Sequence, residues 1–178
     1  MTVRPLPAVL AALLALAGCQ LVPGAASPGS APGSTKPQAL RVTSVADGDT
    51  FTGRDATGKK VKVRMLSIDA PELAHDGNSA ACGSKQAAAR LRTLLSGQTV
   101  DLVADPEADP VDKYGRRLAY VELEGRDIAL QLVSEGLVEA WYPKGEPRPV
   151  RFDTYSGAEA TAKHARTGSW RTCPSLGR

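Results

Sequence analysis

The chain has 178 residues, 42% of them hydrophobic, and a formal charge of +3, which suits one ordinary domain and argues against two once terminal tails are set aside. Arg4 and Lys36 fall outside the expected domain, so residues 40–178 hold 20 basic against 19 acidic side chains and net charge selects no class of partner. With only His75 and His164 available and no cysteine pair at zinc-ligand spacing, sites built on several imidazoles or on zinc thiolates are nearly excluded.

At the start of the chain, Arg4 precedes an apolar run from Ala8 to Ala17, too short to span a bilayer but suited to a signal-peptide core, so residues 1–18 are expected to be a signal peptide. Its end, Leu16-Ala17-Gly18-Cys19, resembles a bacterial lipobox. That resemblance implies acylation of Cys19 and an extracytoplasmic, membrane-anchored lipoprotein, on the cell surface or the periplasmic side. The alternative is an ordinary signal peptide with a chance cysteine. Residues 19–38 are dominated by Pro, Gly, Ala, Ser and Thr, cannot bury a core and read as a flexible tether. The folded domain is expected over 39–178.

Leu40, Val42 and Val45 alternate with polar residues up to the turn Asp47-Gly48-Asp49, and Thr50-Phe51-Thr52 follows, a pattern of paired strands. Asp55 and Gly58 mark a hairpin loop between Gly53 and Lys60. Val61, Val63, Met65 and Ile68 predict a third strand that Pro71 ends. Ala87, Leu91, Leu94 and Leu95 recur at helical spacing between Gly83 and Ser96, with Gly97 at the exit. Val100, Leu102 and Val103 predict a fourth strand, and Leu118, Tyr120, Val121 and Leu123 a fifth. A short helix is expected from Asp127 to Glu135 and a last one from Phe152 to Arg166. The order gives an α+β domain whose five short strands are compatible with a small closed barrel.

Once Cys19 is assigned to the export signal, Cys82 and Cys173 remain as an even pair. In an oxidising compartment a disulfide between them would tie the C-terminal end to the body of the domain. Two unpaired buried thiols are the alternative.

Oxygen is the ligand type on offer. Asp49 follows the first turn, and Asp69 ends the third strand with Glu72 just beyond it, which suits a hard cation, although such residues are more often solvated turn residues. Arg64 stands inside an apolar strand, where a long cation needs a partner or a ligand. Arg116 begins another strand. Two guanidiniums near a carboxylate and a cation fit a phosphodiester, because planar donor forks grip its oxygens and stabilise charge developing in attack. An ion pair to a neighbouring carboxylate explains Arg64 equally well.

The segments Val45-Ala46-Asp47-Gly48-Asp49-Thr50, Val63 to Glu72 and Asp112 to Tyr120 resemble, in order, three motif blocks of the staphylococcal nuclease family. The likeness runs less sharply through Glu135-Gly136-Leu137-Val138 towards Trp170. It implies a five-stranded OB-fold β-barrel with three α-helices. It also implies a calcium-dependent endonuclease that hydrolyses phosphodiester bonds of DNA and/or RNA with little sequence preference. Calcium (Ca2+) would be held by Asp49, Asp69 and the backbone carbonyl of Ala70. Glu72 would assist water attack while Arg64 and Arg116 contact the phosphate. Lys113 and Tyr114 match positions near a terminal phosphate, and Tyr142 matches an aromatic lying against a base or else simply covers the core. Asp47 reads as a structural turn residue. Ala70 stands where a threonine is common, and Asp105, Glu107, Asp109 and Asp112 make an acidic loop beside a polyanion site. The rival reading is a non-catalytic nucleic-acid- or protein-binding OB-fold lipoprotein, and a monomer is the default in either case.

Overall fold

The computed structural model describes residues 1–2, 37–74, 77 and 79–177. The chain divides into two units, Met1–Ser34 and Thr35–Arg178, and all described secondary structure lies in the second. The expected signal peptide, Cys19 and almost all of the tether lie outside the described residues, as does His75.

Strands β1 (Gln38–Val45), β2 (Thr50–Arg54) and β3 (Lys60–Met65) form an antiparallel meander. After β4 (Ile68–Asp69) come helix α1 (Ser84–Leu95), then β5 (Thr99–Val103), β6 (Arg117–Leu123) and β7 (Arg126–Asp127). Helix α2 (Ile128–Ser134), β8 (Glu139–Ala140) and helix α3 (Phe152–His164) complete the order, followed by a 3-10 turn at Gly168–Arg171. β5 pairs with both β1 and β6, and β6 runs parallel to β3 with Val63 opposite Arg117. That last pairing closes the five long strands into a barrel, the OB-fold expected from the sequence.

Alternation fills the barrel. Leu40 and Val42 of β1, Val63 and Met65 of β3, and Val100 and Leu102 of β5 are each at most 2% exposed, so one face of each strand is removed from water at roughly 25 cal/mol per Å² of apolar area. Helix α1 adds Ala87, Leu91 and Leu95 to the same core. Asp127 caps α2 by accepting the Leu130 N–H at 3.0 Å, which satisfies one of the donors a helix start leaves open.

Two expected boundaries move. The third strand was expected to reach Ile68, but β3 stops at Met65 because Ser67 turns left-handed at φ 62 and Arg64 clamps that turn through the carbonyls of Met65 and Ile68. Ile68 and Asp69 then leave the barrel and pair with Ala140 and Glu139. The last helix ends at His164, short of the expected Arg166, which adopts φ 52 and cannot continue it. A disulfide joins Cys82 to Cys173 across a sequence separation of 91.

Candidate active site

The first turn is held by its own side chain. Asp47 Oδ1 accepts the N–H groups of Asp49 at 3.0 Å and Thr50 at 2.7 Å, the structural part expected of it. Gly48 lets this turn press on its neighbours: a Cβ there would stand 2.7 Å from the Ala87 Cβ and 2.8 Å from the Ala70 Cβ. The close approach brings Asp49 within reach of the loop after β4. Asp49 Oδ2 accepts the Ala70 N–H at 2.7 Å, and its Oδ1 accepts the Thr50 hydroxyl at 2.9 Å.

Arg64 joins the two halves of the site. It is 6% exposed. Its Nη1 donates to the carbonyls of Met65 and Ile68 at 2.8 and 2.7 Å. Its Nη2 donates to Asp69 Oδ1 at 2.8 Å and lies 3.1 Å from Asp49 Oδ2. Burial pushes the Asp49 carboxyl up to about 7, helped by the nearby Asp47 charge and opposed by Arg64 and by the hydrogen bonds from Ala70 and Thr50.

A cavity of about 500 Å³ opens beside Arg64 and is also lined by Lys113, Tyr114, Arg116 and Tyr142. Arg116 is aimed by Asp112, whose Oδ2 accepts from Nε at 2.7 Å while Oδ1 accepts the Arg116 N–H at 2.9 Å. Burial works to raise the Asp112 carboxyl, but hydrogen bonds from the Arg116 backbone and guanidinium and from the Tyr114 N–H outweigh it and hold it below the usual range. The cations of Lys113 and Arg116 both lie over the Tyr114 ring, 5.1 and 5.3 Å from its centroid. Tyr142 packs edge-on against Phe152 at 4.7 Å and still faces the cavity.

The structure thus gathers Arg64, Arg116, Lys113, Tyr114 and Tyr142 around one hollow, whereas Asp49, Asp69, Ala70 and Glu72 are not in its lining, and the two aspartates are joined to it through Arg64. Glu72 is exposed on the loop after Pro71, where its backbone carbonyl accepts the Ala81 N–H at 2.9 Å.

The donor set beside Arg64 fits calcium in kind. Two buried carboxylates reach the same guanidinium nitrogen, and the loop carrying Ala70 is hydrogen-bonded to one of them. Hard oxygens of this type suit calcium, and a cation would favour the ionised form of Asp49 that burial disfavours. Among the described residues no three His, Cys, Asp or Glu side chains converge on one point. The fit therefore rests on two carboxylates, a carbonyl and solvent.

The acidic loop is partly turned inward. Asp105, 5% exposed, accepts from the Glu107 N–H, the Tyr120 hydroxyl and the Val150 N–H, so its charge holds the loop to the barrel. Asp112 is engaged with Arg116 and lines the cavity together with Glu107 and Asp109. The aiming role of Asp112 was not expected from sequence, although its position four residues before Arg116 was the available signal. The cavity wall at Pro143, Pro147 and Pro149 carried none beyond its proline content.

Residues 62–172 match the family described as Staphylococcal nuclease homologue, well over half of the chain. The chain belongs to the staphylococcal nuclease family. It is 32% identical over 130 residues to the Thermonuclease of Staphylococcus intermedius, covering 72% of this chain and 74% of that one. It is 33% identical over 124 residues to Endonuclease YncB of Bacillus subtilis, covering 70% of this chain and 57% of that one. The Thermonuclease of Staphylococcus hyicus is 35% identical over 103 residues, 58% of this chain and 59% of that one. This chain thus spans under two thirds of the length of some of the relatives it matches. Within the family segment fall Arg64, Asp69, Glu72, Lys113, Tyr114, Arg116 and Tyr142, while Asp49 and Cys173 fall outside it.

Proposed function

We propose that the protein is a calcium-dependent nuclease that hydrolyses phosphodiester bonds of DNA and/or RNA with little sequence preference. The observation that carries this reading is the presence of Arg64 and Arg116 on the walls of one cavity, with Arg64 backed by two buried carboxylates. Membership in a family whose relatives are named thermonuclease and endonuclease supports it.

Asp49, Asp69 and the Ala70 carbonyl would hold calcium, which when bound supplies Lewis-acid polarisation and charge neutralisation at the phosphoryl oxygen. A phosphodiester in the cavity meets two guanidiniums held in place before it arrives, Arg64 by the Met65 and Ile68 carbonyls and Arg116 by Asp112. Glu72 takes the proton from a water that attacks phosphorus in line. The bond to the 5′ oxygen breaks, and that oxygen gains its proton from solvent while Arg116 donates a hydrogen bond to it. Lys113 and Tyr114 take a neighbouring phosphate, and Tyr142 offers an aromatic face to a base, which tolerates any sequence.

We further propose that the protein works outside the cytoplasm, anchored by lipid at Cys19, as a monomer. The apolar run ending in Leu16-Ala17-Gly18-Cys19 and the Cys82–Cys173 bond support an exported protein in an oxidising compartment.

Incubation of the purified protein with single-stranded DNA and RNA, with calcium and then with chelator, tests the activity. Calcium-dependent cutting that leaves 3′-phosphate ends is expected. A folded protein that binds oligonucleotide and never cuts would instead establish the binding-module reading. Partition into detergent, lost on Cys19→Ala, tests the anchor; a wild-type protein that stays aqueous contradicts it.

A further inference from the structure

Arg116 and Arg117 are neighbours that face different hollows. Arg116 lines the candidate active site, whereas Arg117 lines a second hollow of about 270 Å³ with Lys59, Lys60 and Lys62. Val111 lines both, and it is bridged to Arg117. The two hollows therefore share a rim.

Charge is concentrated here in a domain that is otherwise nearly neutral. The second hollow has four cations and one carboxylate, that of Asp55. Asp55 is occupied in its own hairpin, where Oδ1 accepts the Thr57 N–H, the Thr57 hydroxyl and the Lys59 N–H. Arg64, Arg90, Arg116, Arg126, Arg148 and Arg151 are all paired with carboxylates. Among the described residues no carboxylate is ion-paired with Lys60, Lys62 or Arg117, and the enclosed Nε of Arg117 has no hydrogen-bond acceptor. Cations without a carboxylate partner leave their donors open to a phosphate.

Strand geometry supplies direction. Lys60, Lys62 and Arg64 alternate with the inward-facing Val61, Val63 and Met65 along β3, so the three cations stand in a row at intervals of roughly 6–7 Å. The row begins at the second hollow and ends at the candidate active site. Arg117, opposite Val63 on the parallel strand β6, belongs to the other facing and meets the row only at the hollow, whose wall Val61 also lines.

We propose that the hollow of Lys59, Lys60, Lys62 and Arg117 is a second phosphate-binding subsite, taking the backbone of a nucleic acid strand that runs along β3 out of the active site. The proposal rests on the nuclease reading for the nature of the polymer. It makes the enzyme favour long strands over dinucleotides through electrostatic contacts that read no sequence.

The test is fluorescence anisotropy of the full chain in chelator, where no turnover occurs, using a dinucleotide and a single-stranded DNA of about 12 nucleotides. Wild type is compared with Lys60→Gln/Lys62→Gln and with Arg117→Gln. For the longer strand the double variant is expected to raise Kd about tenfold. It should also reduce the slope of log K against log salt by about 1.4, roughly 0.7 per lost contact. Dinucleotide binding should be unchanged. Equal losses for both lengths, no loss for either, or a wild type that binds no oligonucleotide would overturn the subsite. Addition of calcium separates the two readings. Length-dependent binding without cleavage leaves the subsite standing and removes the nuclease, whereas cleavage with an unaltered KM for long strands in the double variant does the reverse.

Discussion

Arg64 donates from Nη2 to Asp69 Oδ1 at 2.8 Å, and the same nitrogen lies 3.1 Å from Asp49 Oδ2. One buried guanidinium therefore ties two buried carboxylates together, and Arg64 also lines the cavity. Arg64→Ala strips both carboxylates of this partner and also frees the Ser67 turn. Unfolding by urea in chelator should show a loss of about 3–5 kcal/mol, the usual cost of removing one member of a buried ion pair. A loss below about 1 kcal/mol, the range of exposed pairs, would mean that the cluster is open to water.

Asp112 touches no substrate in this account and acts through Arg116. Asp112→Asn keeps the shape but weakens the hold on the guanidinium, so kcat should fall by about tenfold with little change in KM. Arg116→Ala should lose about 100- to 1,000-fold, as when a preorganised donor is removed from a developing charge. An Asp112→Asn enzyme that cuts at the wild-type rate would show that Arg116 is aimed by something else.

Gly48 carries the contact between the Asp47–Asp49 turn, α1 and the Ala70 loop. A methyl there meets two backbone-borne Cβ atoms below 3 Å, which cannot swing aside. Gly48→Ala should destabilise by about 1–3 kcal/mol and shift Asp49 away from the Ala70 N–H. Weaker stabilisation of the variant by calcium, followed as Tm, checks the second effect.

Much of this site was legible from sequence because its residues sit in short contiguous blocks. Asp47, Gly48 and Asp49 make one turn. Arg64 to Glu72 make one strand end, and Asp112 to Arg116 one loop, so resemblance to family motif blocks located each even though the contacts between them are distant in the chain. The end of β3 was not legible. Met65 and Ile68 continue the apolar pattern, and only the left-handed Ser67, clamped by Arg64, breaks the strand. The inward turn of Asp105 was equally hidden, since its partners Tyr120 and Val150 are brought to it by tertiary packing.

Away from the cavity, Arg90 ties α1 to the end of α2 through both oxygens of Glu135, at 2.7 and 2.6 Å. These hydrogen bonds, with one from Gln131, hold the Glu135 carboxyl below its ordinary 4.5 against the effect of burial. A depressed carboxyl contributes stability above its unfolded value and loses it as pH falls through the lower folded one. Glu135→Gln should therefore cost about 1 kcal/mol at pH 7, as befits a half-exposed bidentate pair, and match wild type once the pH lies below the lowered folded value. Urea midpoints at the two pH values decide it, and a difference that persists in acid would mean that the charge is not the cause.

The most direct test of the central claim is cleavage of single-stranded DNA by the purified protein, with calcium and then with chelator, beside Glu72→Gln. Glu72 is exposed and contributes nothing to the buried cluster, so the variant should unfold at the wild-type temperature. The account predicts calcium-dependent cutting by wild type and a loss of at least about 100-fold in turnover for Glu72→Gln. Undiminished cutting by the variant would contradict the role of Glu72, and no cutting by folded wild-type protein would contradict the nuclease itself.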